Sequence, residues 1–203
     1  MLLALSVAVS ACGSETGDNP VFASYLRGFQ NLGGPAPVNP TADDIRAQVT
    51  PQVRAEYGGA PLLVATLDQK NLASILIERA RNRDLVTYFT PDDISVTLKH
   101  GVLVGTRGLG FDLMTADVDE VRPGLQGKVQ QAVRIHRYLD GEDQIVIRSF
   151  VCDYQGQQQR RETCFGDGFE IENTYQLDGS GEILSSRQWI SPEQGYITLE
   201  PAS

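Results

Sequence analysis

The sequence predicts a mainly β fold of antiparallel, bent sheets that form a sandwich or an open barrel, preceded by one or two short N-terminal helices. Three observations support this prediction. Short segments after residue 61 alternate apolar with polar residues, turn signals separate these segments, and helical spacing is confined to the first 57 residues. Hydrophobic residues make up 41% of the 203-residue chain, which is enough for one packed core.

Two helices are expected ahead of the β region. Residues 19–32 carry apolar side chains at helical spacing, and Pro20 sits at a first-turn position where proline is tolerated. A second helix is expected to begin at Thr41, to break and restart at Thr50-Pro51, and to end near Tyr57. An extended, proline-rich link joins the two helices.

Short strands are expected through the rest of the chain, with turns at sequences rich in glycine and aspartate. In the strand around Val133, the side chains of Val133, Ile135, Arg137 and Leu139 form one face. The turn sequences are Arg81 to Asp84, His100-Gly101, Asp140-Gly141 and Asp178 to Gly181. The expected strands are Leu62 to Leu67, one containing Ile75 and Ile77, Leu85 to Thr90, Ile94 to Lys99, Val102 to Val104, Val133 to Leu139, Ile145 to Phe150, Phe169 to Leu177, Ile183 to Ile190 and Tyr196 to Leu199.

The N-terminus has the form of a bacterial lipobox. An apolar run from Leu2 to Val9 leads into Ser10-Ala11-Cys12, and it matches the hydrophobic region of an export signal but is too short to span a bilayer. We therefore expect a lipoprotein signal peptide at residues 1–11, a diacylglycerol on Cys12, a lipidated tether at 12–18 and a single domain at 19–203. No Lys or Arg precedes the run. This leaves open a start upstream of Met1, and the alternative is an ordinary N-terminal helix with a buried cysteine.

Lipidation of Cys12 would make attachment to the membrane effectively permanent. A lipobox cysteine ordinarily carries three acyl chains such as palmitate, and each buried CH₂ contributes about 0.8 kcal/mol. The next residue is Gly13 rather than the aspartate that retains lipoproteins in the inner membrane. The expected location is therefore the outer membrane of a Gram-negative bacterium, with the protein lipid-anchored and facing the periplasm.

The chain is acidic, with 26 acidic and 17 basic residues and a formal charge of −9. An acidic surface disfavours nucleic acid and anionic lipid head groups, because both attract surfaces rich in lysine and arginine. No nucleic-acid partner is expected, and the membrane is expected to be contacted through the lipid on Cys12.

Cys152 and Cys164 remain once Cys12 is assigned to the lipid. An even pair of cysteines in an exported chain usually forms a disulfide, which would pin the polar segment Asp153 to Thr163 as a loop and contribute roughly 3 kcal/mol. A redox or metal pair is the alternative, although the spacing is not C-x-x-C and histidines are scarce.

The sequence contains no recognisable catalytic or metal-binding constellation, so we expect no catalytic residues, no metal and no cofactor. His100 and His136 lack a partner at ligand spacing, and each is expected to be a surface or strand residue. The carboxylates from Asp112 to Glu120 do not have the spacing of a calcium loop, so a solvated acidic loop is expected. Trp189, the single tryptophan, is expected in the core, with sugar stacking as the alternative.

A glycine-rich segment, Gly105 to Gly110, follows a predicted strand as a phosphate-binding loop does. It lacks the spacing of a P-loop or a dinucleotide-binding fingerprint. A bulged or sharply bent chain that needs glycine is therefore the main expectation. The candidate binding loop comprises Arg107, Gly108, Gly110 and Asp112.

Three further segments accompany the lipobox: Gly101 to Met114, Arg137 to Gly141, and Trp189 to Tyr196 with its Pro192 and Gly195. Together they resemble the YjbF/GfcB family, lipoproteins of exopolysaccharide and capsule operons. The resemblance covers nearly the whole mature chain, and the missing basic start is its clearest departure. It implies antiparallel, strongly bent sheets and an outer-membrane lipoprotein that assists polysaccharide export beside a large outer-membrane β-barrel. It supplies no established catalytic residues to carry over to this sequence.

Three functions follow from these observations. The leading prediction is a non-enzymatic accessory lipoprotein in exopolysaccharide or capsule secretion, with the export barrel and polysaccharide as partners. The second is a lipid or lipoprotein carrier, which requires a continuous apolar cavity in a half-open β-barrel. The third is a polysaccharide-modifying enzyme, which requires two carboxyl groups within about 10 Å of each other across a cleft.

Overall fold

The computed structural model describes residues 40–139 and 144–202. The expected signal peptide, the lipidated Cys12, the tether and the helix at 19–32 lie outside the described residues. The expected turn at Asp140-Gly141 lies outside them as well.

Two short helices precede the sheet, and both lie within the second predicted helix, at residues 41–57. Helix α1 (Ala42–Gln48) begins after Thr41, whose side chain accepts a hydrogen bond from the amide of Asp44 while the Asp44 carboxylate accepts one from the amide of Thr41. This reciprocal capping box satisfies two amides that the helix leaves free. Helix α2 (Pro51–Glu56) has Thr50 as its N-cap and a proline in its first turn, which confirms the predicted break and restart.

Twelve strands make up the rest of the described chain, together with a 3₁₀ turn (Asp68–Lys70) and a third helix, α3 (Val121–Leu125). The strands are β1 (Leu62–Leu67), β2 (Leu72–Asn82), β3 (Leu85–Phe89), β4 (Ser95–Lys99), β5 (Val102–Arg107), β6 (Leu113–Asp117), β7 (Gln131–Leu139), β8 (Ile145–Gln155), β9 (Gln159–Gly166), β10 (Phe169–Leu177), β11 (Ile183–Ser191) and β12 (Gly195–Pro201).

All described strands form one antiparallel sheet that is nearly closed into a barrel. The strand order is β5-β4-β3-β2-β1-β12-β11-β10-β9-β8-β7-β6, so β5 and β6 are its two edges. These edges meet, because the Arg107 side chain on β5 donates to the carbonyls of Leu113 (3.2 Å) and Met114 (2.9 Å) on β6. The mainly antiparallel β prediction is confirmed, in its open-barrel form. Among the described residues, no helix has the length and apolar character to cross a bilayer.

The main core fills the inside of this sheet. Leu103, Leu113, Ile190 and Ile197 are almost fully buried in one cluster, although their strands lie at the two edges and in the middle of the sheet. Only a strongly curved sheet brings such distant strands onto a common core.

A smaller core lies on the outside of β1 and β2. Val64 packs there with Ile45 from helix α1, whereas its chain neighbour Ala65 belongs to the inner cluster, because successive strand residues face opposite ways. Burial of Ile45 contributes about 1.5–3 kcal/mol and holds the helix on the sheet.

Three details differ from the sequence-based picture. The face of β7 that carries Val133 and Leu139 is the outward one, and Arg134 and His136 occupy the buried face. The segment Asp153 to Thr163 is mostly strand, since β8 and β9 pair as a hairpin across it. Strand β6 and helix α3 form in a stretch where no regular element was expected, so the segment from Asp112 to Glu120 is partly strand and not only a solvated acidic loop.

Candidate functional site

A fully buried ion pair lies on the inward face of the sheet. Arg134 on β7 donates from Nη1 to Oε2 of Glu162 on β9 at 2.6 Å, and both side chains are 0% exposed. Removing two charges from water costs several kcal/mol for each ion, and the attraction of the pair repays this only with good geometry and additional hydrogen bonds. The surrounding residues supply those bonds.

Glu162 accepts hydrogen bonds from three other side chains. The Tyr154 hydroxyl donates to Oε1 (2.9 Å), while the Asn173 amide (2.7 Å) and the Tyr175 hydroxyl (3.0 Å) donate to Oε2. Burial and the charge of Glu162 raise the pKa of both tyrosines. Both hydroxyls therefore keep their protons and act as donors to the carboxylate.

His136 extends this network as a neutral ring. Its Nε2 accepts a hydrogen bond from Nε of Arg134 at 3.0 Å, so the ring proton belongs on Nδ1, which lies 2.7 Å from the Tyr138 hydroxyl. Burial, followed by the charge of Arg134, holds the pKa of His136 well below its usual range. Burial by itself lowers the pKa of Arg134, but the charge of Glu162 raises it overall and keeps the guanidinium protonated.

The buried network is suited to bracing the sheet. Its charged groups lie away from solvent, and its members bond to one another across β7, β8, β9 and β10, so they fix how those strands face each other. Within residues 40–139 and 144–202, Nη2 of Arg134 is a buried nitrogen without a hydrogen-bond partner. An unsatisfied buried donor of this kind costs about 1–3 kcal/mol.

The sequence did not reveal this network. Arg134, His136 and Tyr138 alternate at period two, which is the signature of one strand face. The opposite face of the strand carries apolar residues, so the sequence predicted that those residues would point inward and this polar face outward. Only a polar partner on another strand, here Glu162, distinguishes a buried polar face from a solvated one.

The predicted disulfide is present between Cys152 on β8 and Cys164 on β9. The two residues are direct cross-strand partners, so the bond joins the two strands of a hairpin and not the ends of a loop. Cys152, Glu162 and Cys164 bring potential metal ligands within 4.8 Å of one another. Both sulfurs are consumed by the disulfide, and metals need the free thiolate, so these residues do not form a metal site in the oxidised protein.

The candidate binding loop at the barrel seam is organised by Asp112. Its carboxylate accepts hydrogen bonds from the amides of Gly108 (2.9 Å) and Leu109 (3.3 Å) and from the Thr106 hydroxyl (2.7 Å). Gly108 and Gly110 have φ of +92° and +98°, which favours glycine. Asp112 thus takes the amides that an anion would need, and Arg107 is bonded to carbonyls across the seam. A binding role for this loop stays a prediction.

Two other carboxylates of the acidic segment accept hydrogen bonds from backbone amides, and Asp119 pairs with Lys99 on β4. Asp117 accepts from the amide of Asp119 at 3.3 Å, and Glu120 accepts from the amide of Val133 at 3.0 Å. These bonds hold the chain between β6 and β7.

The two remaining candidates have ordinary surroundings. His100 lies in the turn between β4 and β5, with φ of +49°, and its Nδ1 is 3.0 Å from Nη1 of Arg122. Trp189 on β11 is half-buried, packs beside the inner cluster around the disulfide, and makes an edge-to-face contact with Tyr196 at 5.1 Å between ring centroids.

Large apolar side chains cover the outward face of β7, β8 and β9. They form two groups on this face: Val133 pairs with Val151 and Val151 with Phe165 at one end, Leu139 pairs with Ile145 beside Ile147 at the other, and Arg137 and Ser149 lie between the groups. The term apolar face denotes Val133, Leu139, Ile145, Ile147, Val151 and Phe165, which are between 39% and 68% exposed. Single exposed apolar residues are normal, but several on one face of a sheet favour an interaction surface.

The comparisons with known proteins agree with the fold and the resemblance. A search of curated proteins finds no match. The crystal structure of the hypothetical lipoprotein YmcC from Escherichia coli K12 is similar, with a TM-score of 0.58 and 12% identity over 70% of this chain and 85% of that one. At this identity the likeness concerns the fold alone. The family model described as group 4 capsule polysaccharide lipoprotein gfcB, YjbF matches residues 30–201. The chain therefore belongs to the YjbF/GfcB family of capsule polysaccharide lipoproteins.

Proposed function

We propose that this chain is a non-enzymatic accessory lipoprotein in exopolysaccharide or capsule secretion, and that it acts by holding a protein partner. The observation that carries this proposal is the apolar face, which exposes six large side chains on one side of the sheet. Membership of a family of capsule polysaccharide lipoproteins supports the process in which the partner works.

A protein suits the apolar face better than a lipid bilayer does. Asp140, Glu142 and Asp143 follow Leu139 directly in the sequence, and the whole chain carries a charge of −9. Anionic lipid head groups would repel a chain of this charge, whereas a protein with an apolar surface would complement the apolar face. The natural partner is the outer-membrane β-barrel of the polysaccharide export system.

The interior of the sheet argues against the carrier alternative. A carrier in a half-open barrel needs a continuous apolar cavity for an acyl chain. Here large side chains occupy the interior, with Arg134, Phe150, Leu103 and Tyr175 almost completely buried.

The acidic segment argues against the enzyme alternative. A glycosidase-type site needs two carboxyl groups that face one sugar across a cleft. Asp112, Asp117 and Glu120 instead accept hydrogen bonds from nearby backbone amides. Each carboxylate therefore has a local role in shaping the chain.

The membrane location in this proposal rests on Cys12. The lipobox sequence and the family description as lipoproteins both support a lipid at that position. With Gly13 after the cysteine, the proposed location is the outer membrane, with the domain facing the periplasm.

A deletion strain tests the proposal. Removal of the gene should reduce secreted polysaccharide, and the wild-type gene should restore it. A Cys12→Ser variant, expressed with its natural upstream sequence, should accumulate without lipid label and restore secretion poorly. Unchanged secretion in the deletion strain, under conditions where the wild-type protein is made, would overturn the proposal.

A further inference from the structure

We infer that the outward face of β9 to β12 binds an acidic polysaccharide, in a shallow groove separate from the apolar face. The groove has a volume of about 420 Å³ and crosses all four strands. The inference rests on the proposed function in one respect, because that function is the reason to expect a polysaccharide and not another polyanion. The site itself is inferred from the residues that line the groove.

The first row of the groove alternates hydroxyl and guanidinium groups. Thr198 pairs with Arg187, Arg187 with Thr174, and Thr174 with Arg161, so one residue from each strand lies at the same level. Their chain neighbours Glu162 and Gln188 are buried. Because strand residues alternate in direction, the four side chains of this row point outward.

A second row runs beside the first and consists of amides and a hydroxyl. Gln159 pairs with Gln176, and Gln176 pairs with Ser185. Neighbouring strands are about 4.8 Å apart, so an extended chain lying across them meets a new donor or acceptor at each strand. Hydroxyl and amide groups that both donate and accept hydrogen bonds match the hydroxyl groups of sugars.

The two arginines of the first row are held in position. Nε of Arg187 donates to Asp68 at 2.5 Å, and its guanidinium lies 3.7 Å from the centroid of the Tyr196 ring. Nε of Arg161 lies 3.5 Å from Glu172. These contacts engage the Nε edge of each guanidinium, so the Nη atoms remain for a ligand. An arginine that is already held by an aromatic ring and a carboxylate loses little conformational freedom when it binds a ligand.

The two arginines that line the groove favour an anionic ligand through their Nη atoms, since each Nε lies beside a carboxylate. Arg161 and Arg187 line the groove beside one carboxylate, Glu200, whereas the Arg160 side chain donates to the carbonyls of Gly124 and Leu125 on helix α3. Arginine binds carboxylates through two parallel hydrogen bonds. The expected ligand is therefore a polysaccharide that carries carboxylates, such as one containing uronic acids.

Binding of a polygalacturonate oligosaccharide to the purified full chain at low salt tests the inference. Arg161→Gln and Arg187→Gln should each weaken binding about tenfold, as expected for loss of one charge-assisted contact. The chain offers matched controls on β2. Arg81 is as exposed as Arg161 (57% each) and pairs with Glu78, and Arg79 lies over the Phe89 ring as Arg187 lies over Tyr196.

Arg79→Gln and Arg81→Gln should leave binding unchanged, and circular dichroism with thermal melting should show that all four variants fold. Absence of binding, equal loss in the β2 controls, or equal binding of neutral dextran or of polyglutamate of matched length would overturn the inference. The two proposals fail separately. Unchanged secretion after deletion of the gene would overturn the proposed function even if the groove binds polygalacturonate. Absence of binding would overturn this inference even if the deletion strain secretes less polysaccharide.

Discussion

Replacement of Glu162 by Gln should strongly destabilise the fold. The substitution keeps the shape of the side chain but leaves Arg134 as a buried cation without a counter-ion, and Nη2 of that arginine has no partner among the described residues even in the wild-type protein. Breaking a buried pair in this way costs about 3–5 kcal/mol. That is a large part of the roughly 5–15 kcal/mol that stabilises a typical domain.

Urea unfolding with the disulfide intact, followed by the fluorescence of Trp189 and by circular dichroism, measures this loss. Glu172→Gln is the matched control, because Glu172 is 46% exposed and pairs with an exposed arginine, so its loss should cost less than about 1 kcal/mol. Adding Arg134→Met to Glu162→Gln should recover about 2 kcal/mol relative to the sum of the single variants. A Glu162→Gln loss below about 1 kcal/mol, or strict additivity in the double variant, would refute the assignment of the pair as a brace.

Three other predictions concern single features. The pKa of His136 in the folded protein is held below its value in the unfolded chain, about 6.5, so only the unfolded state takes up this proton as the pH falls below 6.5. The free energy of unfolding should therefore fall by up to about 1.4 kcal/mol per pH unit below that pH. This pH dependence should be absent from the His136→Gln variant and present in His100→Gln. Joint replacement of Cys152 and Cys164 by alanine should lower the free energy of unfolding by about 3 kcal/mol, and dithiothreitol should then have no further effect on the variant. Asp112→Ala should speed hydrogen exchange at the amides of the candidate binding loop, and unchanged exchange there would contradict the bonds assigned to this carboxylate.

Local chemistry explains which parts of the fold could be predicted from sequence. Strand β1 lies at Leu62–Leu67, as predicted, because an apolar run bounded by turn residues determines it locally. The restart at Thr50-Pro51 was predictable for the same reason, since an N-cap and a first-turn proline are short-range signals.

Long-range pairing explains what could not be predicted. The inward face of β7 depends on Glu162, which lies two strands away in the sheet, and a polar strand face looks solvated until its partner is known. The hairpin of β8 and β9 could not be predicted from the polar sequence around Gln157. The outward strand residues there are as hydrophilic as the turn residues, so the sequence does not show where the strands end and the turn begins. The groove required the same knowledge, since Arg161 and Arg187 come together only through the register of β9, β10 and β11.

Secreted polysaccharide from a deletion strain carrying an Ile145→Thr/Ile147→Thr variant tests the central role of the apolar face most directly. Both residues are more than half exposed on β8, so the variant should fold and accumulate normally. Leu184→Thr is the control, because Leu184 is 50% exposed on β11, outside the apolar face. The control should restore secretion, and the double variant should not. Full restoration by the double variant, at wild-type protein levels, would contradict this role of the apolar face.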